Sequence, residues 1–168
     1  MKATTFALIA GALYLALGLL GLVPATLVPP PRDAPPTAFA SLYGYLLGLF
    51  PVNVLHSALH IGVGFWGLCA WRRKCSAVAF ARALAALFAA LALLGTLPGA
   101  NTLFGMMPIH GNDVWLHGAT ALAAFYFGWR ARATPRERRR NVPDRRRHDV
   151  PVARERRLGL SDRRESFV

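Results

Sequence analysis

The sequence predicts an all-α integral membrane protein. The expected architecture is a four-helix bundle, built as two repeated helix hairpins, with a disordered C-terminal tail. Three observations predict it. Residues 1–129 contain only two carboxylates, Asp33 and Asp113, and six Lys or Arg. A stretch so poor in charge takes lipid rather than water as its solvent. Within it lie four apolar runs close to the ~20 residues needed to cross the hydrocarbon of a bilayer. After Trp129 the chain changes character: residues 130–168 carry 14 Arg against six Asp or Glu, so most of the formal charge of +12 belongs to the tail. The division is a transmembrane domain over residues 1–130 and a basic cytoplasmic tail over 131–168.

The spans are read as residues 3–28, 51–71, 78–97 and 113–129. The first begins after Lys2 and could be taken for a cleaved signal peptide ending near Val23-Pro24-Ala25. Its apolar run exceeds the ~7–15 residues usual for that role, so it is read as a retained helix. The second starts at Pro51, a residue suited to a first helical turn because the missing N–H has no intrahelical partner there. The third carries Arg82 near its start, and the fourth starts at Asp113. Lys2, the Arg72-Arg73-Lys74 cluster with Arg82, and the tail are the basic flanks. Loops 29–50 and 98–112 hold only Arg32 between them. The positive-inside rule then puts both termini in the cytoplasm. Loop 29–50 divides into "PPPRDAPP", which proline keeps extended, and "FASLYGYLLGLF", expected at the outer interface with the Tyr43 and Tyr45 hydroxyls wet. Cys69 and Cys75 lie beside the basic cluster with a spacing that suits neither a zinc knuckle nor a redox pair, so both are read as reduced structural thiols. Gly62, Gly64 and Gly67 are read as close-packing positions inside the bundle rather than a dimer face.

An internal duplication is visible. "GLFPVNVLH" at 48–56 resembles "GMMPIHGNDVWLH" at 105–117, and "ALYLALGLLGLVP" at 12–24 resembles "ALFAALALLGTLP" at 86–98. The alignment sets Tyr14 opposite Phe88 and His56 opposite His117. Each unit would be a helix going out, an outer loop and a helix returning, related by a two-fold axis along the membrane normal.

Polar residues collect where the second and fourth spans begin. At ~100° per residue, His56 and His60 share one helix face with Asn53 within ~60° of both, and Asp113 and His117 share a face of the fourth span. His110 and Asn112 immediately precede that span. At 1.5 Å rise per residue His56 is roughly 7 Å and His60 roughly 13 Å in from Pro51. Polar groups at that depth are costly, face the bundle interior and need partners. One reading is a structural lock in which Asn53, His56, His60, Asn112, Asp113 and His117 bond one another across the helix pair. Another is a metal site, with His56, His60 and His117 as ligands and Asp113 or His110 as a fourth ligand or supporting group. Such donors suit zinc or copper. A haem between His117 and one histidine of the second span, or a proton relay, would use the same residues. No Gly-x-Ser-x-Gly elbow, Walker loop, His-Glu-x-x-His or Cys-x-x-Cys occurs, and Asp113 has no second carboxylate near the spans. Enzymatic chemistry is therefore disfavoured.

The pair "LFPVNVLHSALHIGVGFWGL" and "MMPIHGNDVWLHGATALAAF" resembles the bacterial four-span membrane family catalogued as domain of unknown function 4383. The most specific elements are Asn53-x-x-His56-x-x-x-His60 and Gly111-Asn112-Asp113-x-x-Leu116-His117. The resemblance covers roughly residues 4–130. It implies a multi-pass protein of a bacterial inner membrane and brings no assigned activity.

In the tail an acid-Arg-Arg triplet recurs. Its arginines are Arg138 and Arg139, Arg145 and Arg146, Arg156 and Arg157, and Arg163 and Arg164. Pro143 and Pro151 oppose a continuous helix, and the composition favours disorder. These arginines are the expected contacts to anionic lipid. The bilayer is the main partner, a homo-oligomer is compatible with the spans, and nucleic acid is the least favoured partner.

Overall fold

A computed structural model describes residues 2–129. The tail lies outside the described residues, and with it the expected disorder and the eight arginines expected at anionic lipid: Arg138, Arg139, Arg145, Arg146, Arg156, Arg157, Arg163 and Arg164. Four helices form the body: α1 (Ala3–Leu20), α2 (Val54–Trp71), α3 (Ala77–Gly95) and α4 (Asn112–Trp129). Three short strands, β1 (Leu27–Val28), β2 (Gly44–Leu46) and β3 (Phe50–Val52), join into one antiparallel sheet of order β1-β2-β3.

The helix starts follow local chemistry. The Asn53 side chain accepts the His56 amide and Ser76 accepts the Ala79 amide, so α2 and α3 each begin behind a capping residue. Two expected boundaries are corrected. The first helix ends at Leu20, not near residue 28. The Gly21 amide still bonds the Leu17 carbonyl, but Pro24 cannot donate, and the chain passes through a 3-10 turn at Pro24–Thr26 into β1. Pro51 does not open α2; it lies in β3 opposite Tyr45. β3 is an edge strand, where proline costs no ladder bond on its outer side.

Segment 39–50 contains regular structure that the apolar, aromatic run did not announce. It folds back as a β2–β3 hairpin whose turn takes Leu47 and Gly48 into positive φ. Leu46 and Val52 are buried. The Tyr43 hydroxyl donates to the Pro35 carbonyl at 2.9 Å rather than standing free.

α1 and α2 form one antiparallel hairpin, α3 and α4 the other. Gly11 meets Gly67 so closely that a Cβ on Gly67 would come within 2.6 Å of the Gly11 Cα, and Gly64 lies as tightly on Leu15; Gly62 faces open space. Small residues that admit a neighbouring backbone are the usual means of close helix association in lipid. Between hairpins, Phe6 stacks on Phe127 with centroids 5.1 Å apart and Tyr14 meets Phe88 at 4.8 Å. Tyr14, Phe80, Leu84 and Phe88 are fully buried in this seam.

α1, α2 and α3 are long and apolar enough to cross a membrane. α4, also 18 residues, does not reach that apolarity, since Asn112, Asp113 and His117 occupy its first turns. The helix directions gather Lys2, Arg72, Arg73, Lys74 and Arg82 at one end of the bundle. The sheet and loop 98–111 close the other.

Candidate metal centre

The site lies at the sheet end, between the first turns of α2 and α4. Capping by Asn53 starts α2 so that His56 and His60 project one turn apart toward α4. Gly111, at φ +64°, turns the chain into α4 so that Asp113 and His117 project back. His56, Asp113 and His117 are fully buried and His60 is 2% exposed.

The side chains converge. His56 Nε2 lies 3.1 Å from His60 Nε2 and 3.4 Å from Asp113 Oδ2. One ligand nitrogen from each of His56, His60 and His117 lies within 4.8 Å of the others. The ring centroids are 4.4 Å (His56–His60), 5.6 Å (His56–His117) and 5.9 Å (His60–His117) apart. Around two ligands at 2.0–2.1 Å from a tetrahedral ion, the ligand-to-ligand edge is about 3.3 Å. The observed 3.1 and 3.4 Å separations bracket that edge.

Hydrogen bonding within the cluster is incomplete. Both Asp113 oxygens, both His117 nitrogens and the Nδ1 atoms of His56 and His60 are buried without a hydrogen-bond partner among the described residues. A buried carboxylate lacking donors costs several kcal/mol by order of magnitude unless a cation or proton compensates it. A divalent ion among the three imidazoles would take up their lone pairs and offset the carboxylate charge.

The two asparagines expected within the cluster do different work. The Asn53 amide donates to the Phe39 carbonyl at 2.9 Å and the Met106 carbonyl at 2.8 Å, binding both closing loops over the start of α2. Asn112 is exposed and reaches the Leu49 carbonyl at 3.2 Å. Neither side chain bonds a histidine ring. His110 stands apart from the converging three, beside Tyr45 with centroids 6.3 Å apart. Burial lowers its pKa below the usual histidine value, which keeps it neutral at neutral pH. Burial raises the pKa of Tyr43 and Tyr45.

Three contributors lie outside the candidate set. Tyr14 packs edge-on against His60 at 4.9 Å, Phe88 lies against His117 at 4.7 Å, and Thr120 bonds the Tyr14 hydroxyl at 2.7 Å. The repeat alignment matches Tyr14 with Phe88, the signal that could have placed both beside the histidines.

The family described as Domain of unknown function (DUF4383) matches residues 4–130. The chain belongs to this family. Comparison with curated proteins and with solved structures returned no significant match. The DUF4383 match takes in all four helices, both closing loops and every residue of the centre.

Proposed function

We propose that this DUF4383 chain is a four-span membrane protein in which His56, His60, His117 and Asp113 hold one first-row transition metal ion. Zinc or copper suits three imidazoles and a carboxylate. The carrying observation is the convergence of four fully or almost fully buried donors: the ligand nitrogens of His56, His60 and His117 lie within 4.8 Å of one another, His56 stands 3.1 Å from His60 and 3.4 Å from Asp113, and both Asp113 oxygens and both His117 nitrogens lack a hydrogen-bond partner among the described residues. Four protein ligands make a closed shell, the pattern of structural rather than catalytic metal sites. The ion would then join hairpin α1–α2 to hairpin α3–α4.

Membrane placement is supported by the three apolar helices and by large apolar side chains left outward, such as Leu93 (68% exposed) and Leu122 (74%). The same surface on α4 supports reading it as the fourth span. The gathering of basic residues at the end away from the site favours a cytoplasmic location for both termini. An inner-membrane location follows only by resemblance to the bacterial family. Tyr14 with Phe88, and His56 with His117, are matched in sequence and in contact across the hairpins, which supports a duplicated origin.

A second reading, a metal-free polar lock, is favoured by the direct His56–Asp113 approach between α2 and α4. A haem is disfavoured because the three imidazoles are buried against one another and against Tyr14 and Phe88, which leaves no slot for a macrocycle beside their ring nitrogens.

Elemental analysis separates the readings. The full chain, purified in mild detergent without chelator, is expected to carry about one zinc or copper per chain, as a closed four-ligand site requires. A folded chain that takes up no stoichiometric metal, even after loading, leaves the polar lock as the account.

A further inference from the structure

A groove of about 770 Å³ runs along the outer seam of α3 and α4, opposite in character to the metal centre. Its floor is made by small residues, Ala85 and Ala89 on α3 and Gly118 on α4; its wall is Leu122, Phe125 and Trp129. One end is electrically distinct. Arg82, one turn before Ala85, carries its guanidinium over the Trp129 ring at 5.2 Å. Its Nε donates to the Gly128 carbonyl at 2.9 Å. Gly128 leaves room for that placement: a Cβ there would come within 3.0 Å of the Arg82 Cγ and 3.2 Å of its backbone nitrogen. The terminal amino groups of Arg82 make no hydrogen bond or ion pair among the described residues, and the side chain is exposed. Arg82 therefore presents planar donors at the mouth of an apolar channel, at the end of the bundle that also carries Lys2, Arg72, Arg73 and Lys74.

We propose that this groove binds one acyl chain of an anionic phospholipid whose phosphate sits on Arg82. Guanidinium donors suit a phosphate, and basic pockets between membrane helices on the cytoplasmic side are the usual places where anionic head groups are recognised. Trp129 is the last residue of α4, and in a spanning helix that end is where amphipathic rings meet head groups. A second copy of the chain fits less well, because a two-fold axis along the membrane normal would bring both basic ends together. The proposal rests on the membrane placement given above and is independent of the metal.

The test uses the full chain in mild detergent, with phosphatidylglycerol and phosphatidylcholine as probes and native mass spectrometry as the readout. Wild type is compared with Arg82→Gln, Arg82→Lys and Ala89→Trp. The tail is the same in all four, so its own attraction for anionic lipid cancels. Wild type is expected to retain one phosphatidylglycerol in preference to phosphatidylcholine. Arg82→Gln should weaken that binding about tenfold, the equivalent of one charge-assisted contact. Arg82→Lys should keep most of it, and Ala89→Trp, which fills the exposed groove, should remove binding of both lipids. Retention by Arg82→Gln or Ala89→Trp equal to wild type would overturn the proposal. So would a lipid-free dimer as the wild-type species, or loss in Arg82→Lys as complete as in Arg82→Gln.

Discussion

Replacing His117 with Ala is expected to abolish stoichiometric metal binding and make the protein's stability indifferent to chelators. His117 comes from α4, whereas His56 and His60 both come from α2, so its removal takes one of only two α4 ligands from the site. Loss of a residue that merely orients a metal ligand costs about 10–100-fold in affinity, and loss of a ligand itself costs more. At free metal 100-fold above the dissociation constant, binding stabilises the folded state by about 2.7 kcal/mol. Chelation of wild type should therefore lower the unfolding free energy by about that amount, and His117→Ala should lose it without chelator. Combining the two should add nothing further, since the effects share one ion. In a metal-free lock, chelator would leave wild type unchanged and His117→Ala would still be destabilised. Thermal unfolding in detergent, with and without chelator, distinguishes the outcomes.

Asn53→Ala is expected to cost about 3 kcal/mol: about 1 for the cap on α2 and about 1 for each hydrogen bond lost to a loop carbonyl. The reason lies in three bonds made by one fully buried side chain, to the His56 amide and to the carbonyls of Phe39 and Met106. Those carbonyls belong to the two loops that roof the candidate metal centre, so exchange of the proposed ion should also become faster. Asn53→Asp keeps the cap but sets a buried carboxylate oxygen against the two carbonyls, and should cost at least as much as Asn53→Ala at neutral pH. A loss under about 1 kcal/mol for Asn53→Ala, no more than the cap alone, would mean that the roof is held by other contacts.

How much of this was legible in the sequence depends on the kind of signal each feature leaves. α2, α3 and α4 begin and end within a few residues of the apolar runs, because a run near twenty residues is a strong pattern. The histidines were legible from i,i+4 spacing alone: helical geometry puts His56 with His60, and Asp113 with His117, on single faces. The sheet was not. Strands of two or three residues carry no readable alternation, and Pro51 resembles a helix start because proline suits both positions. Asn53 is the better marker, since an asparagine ahead of an apolar run is a capping signal. The end of α1 is likewise marked, by Gly21 and Pro24, within an apolar stretch that masks it. The asparagines, expected to bond histidines, serve loop carbonyls instead. Loop carbonyls that lie outside helix and sheet ladders need donors as much as buried side chains need partners.

The central claim is that three imidazoles and one carboxylate share one ion. X-ray absorption at the metal edge of the purified, full-length protein tests it most directly. The account predicts a first shell of about four nitrogen and oxygen atoms at 2.0–2.1 Å with the outer scattering of imidazole rings. That shell should vanish in a variant with His56, His60 and His117 all changed to Ala. A shell containing sulfur at about 2.3 Å would instead implicate Cys69 or Cys75. That result, or an unchanged shell in the triple variant, would contradict the account.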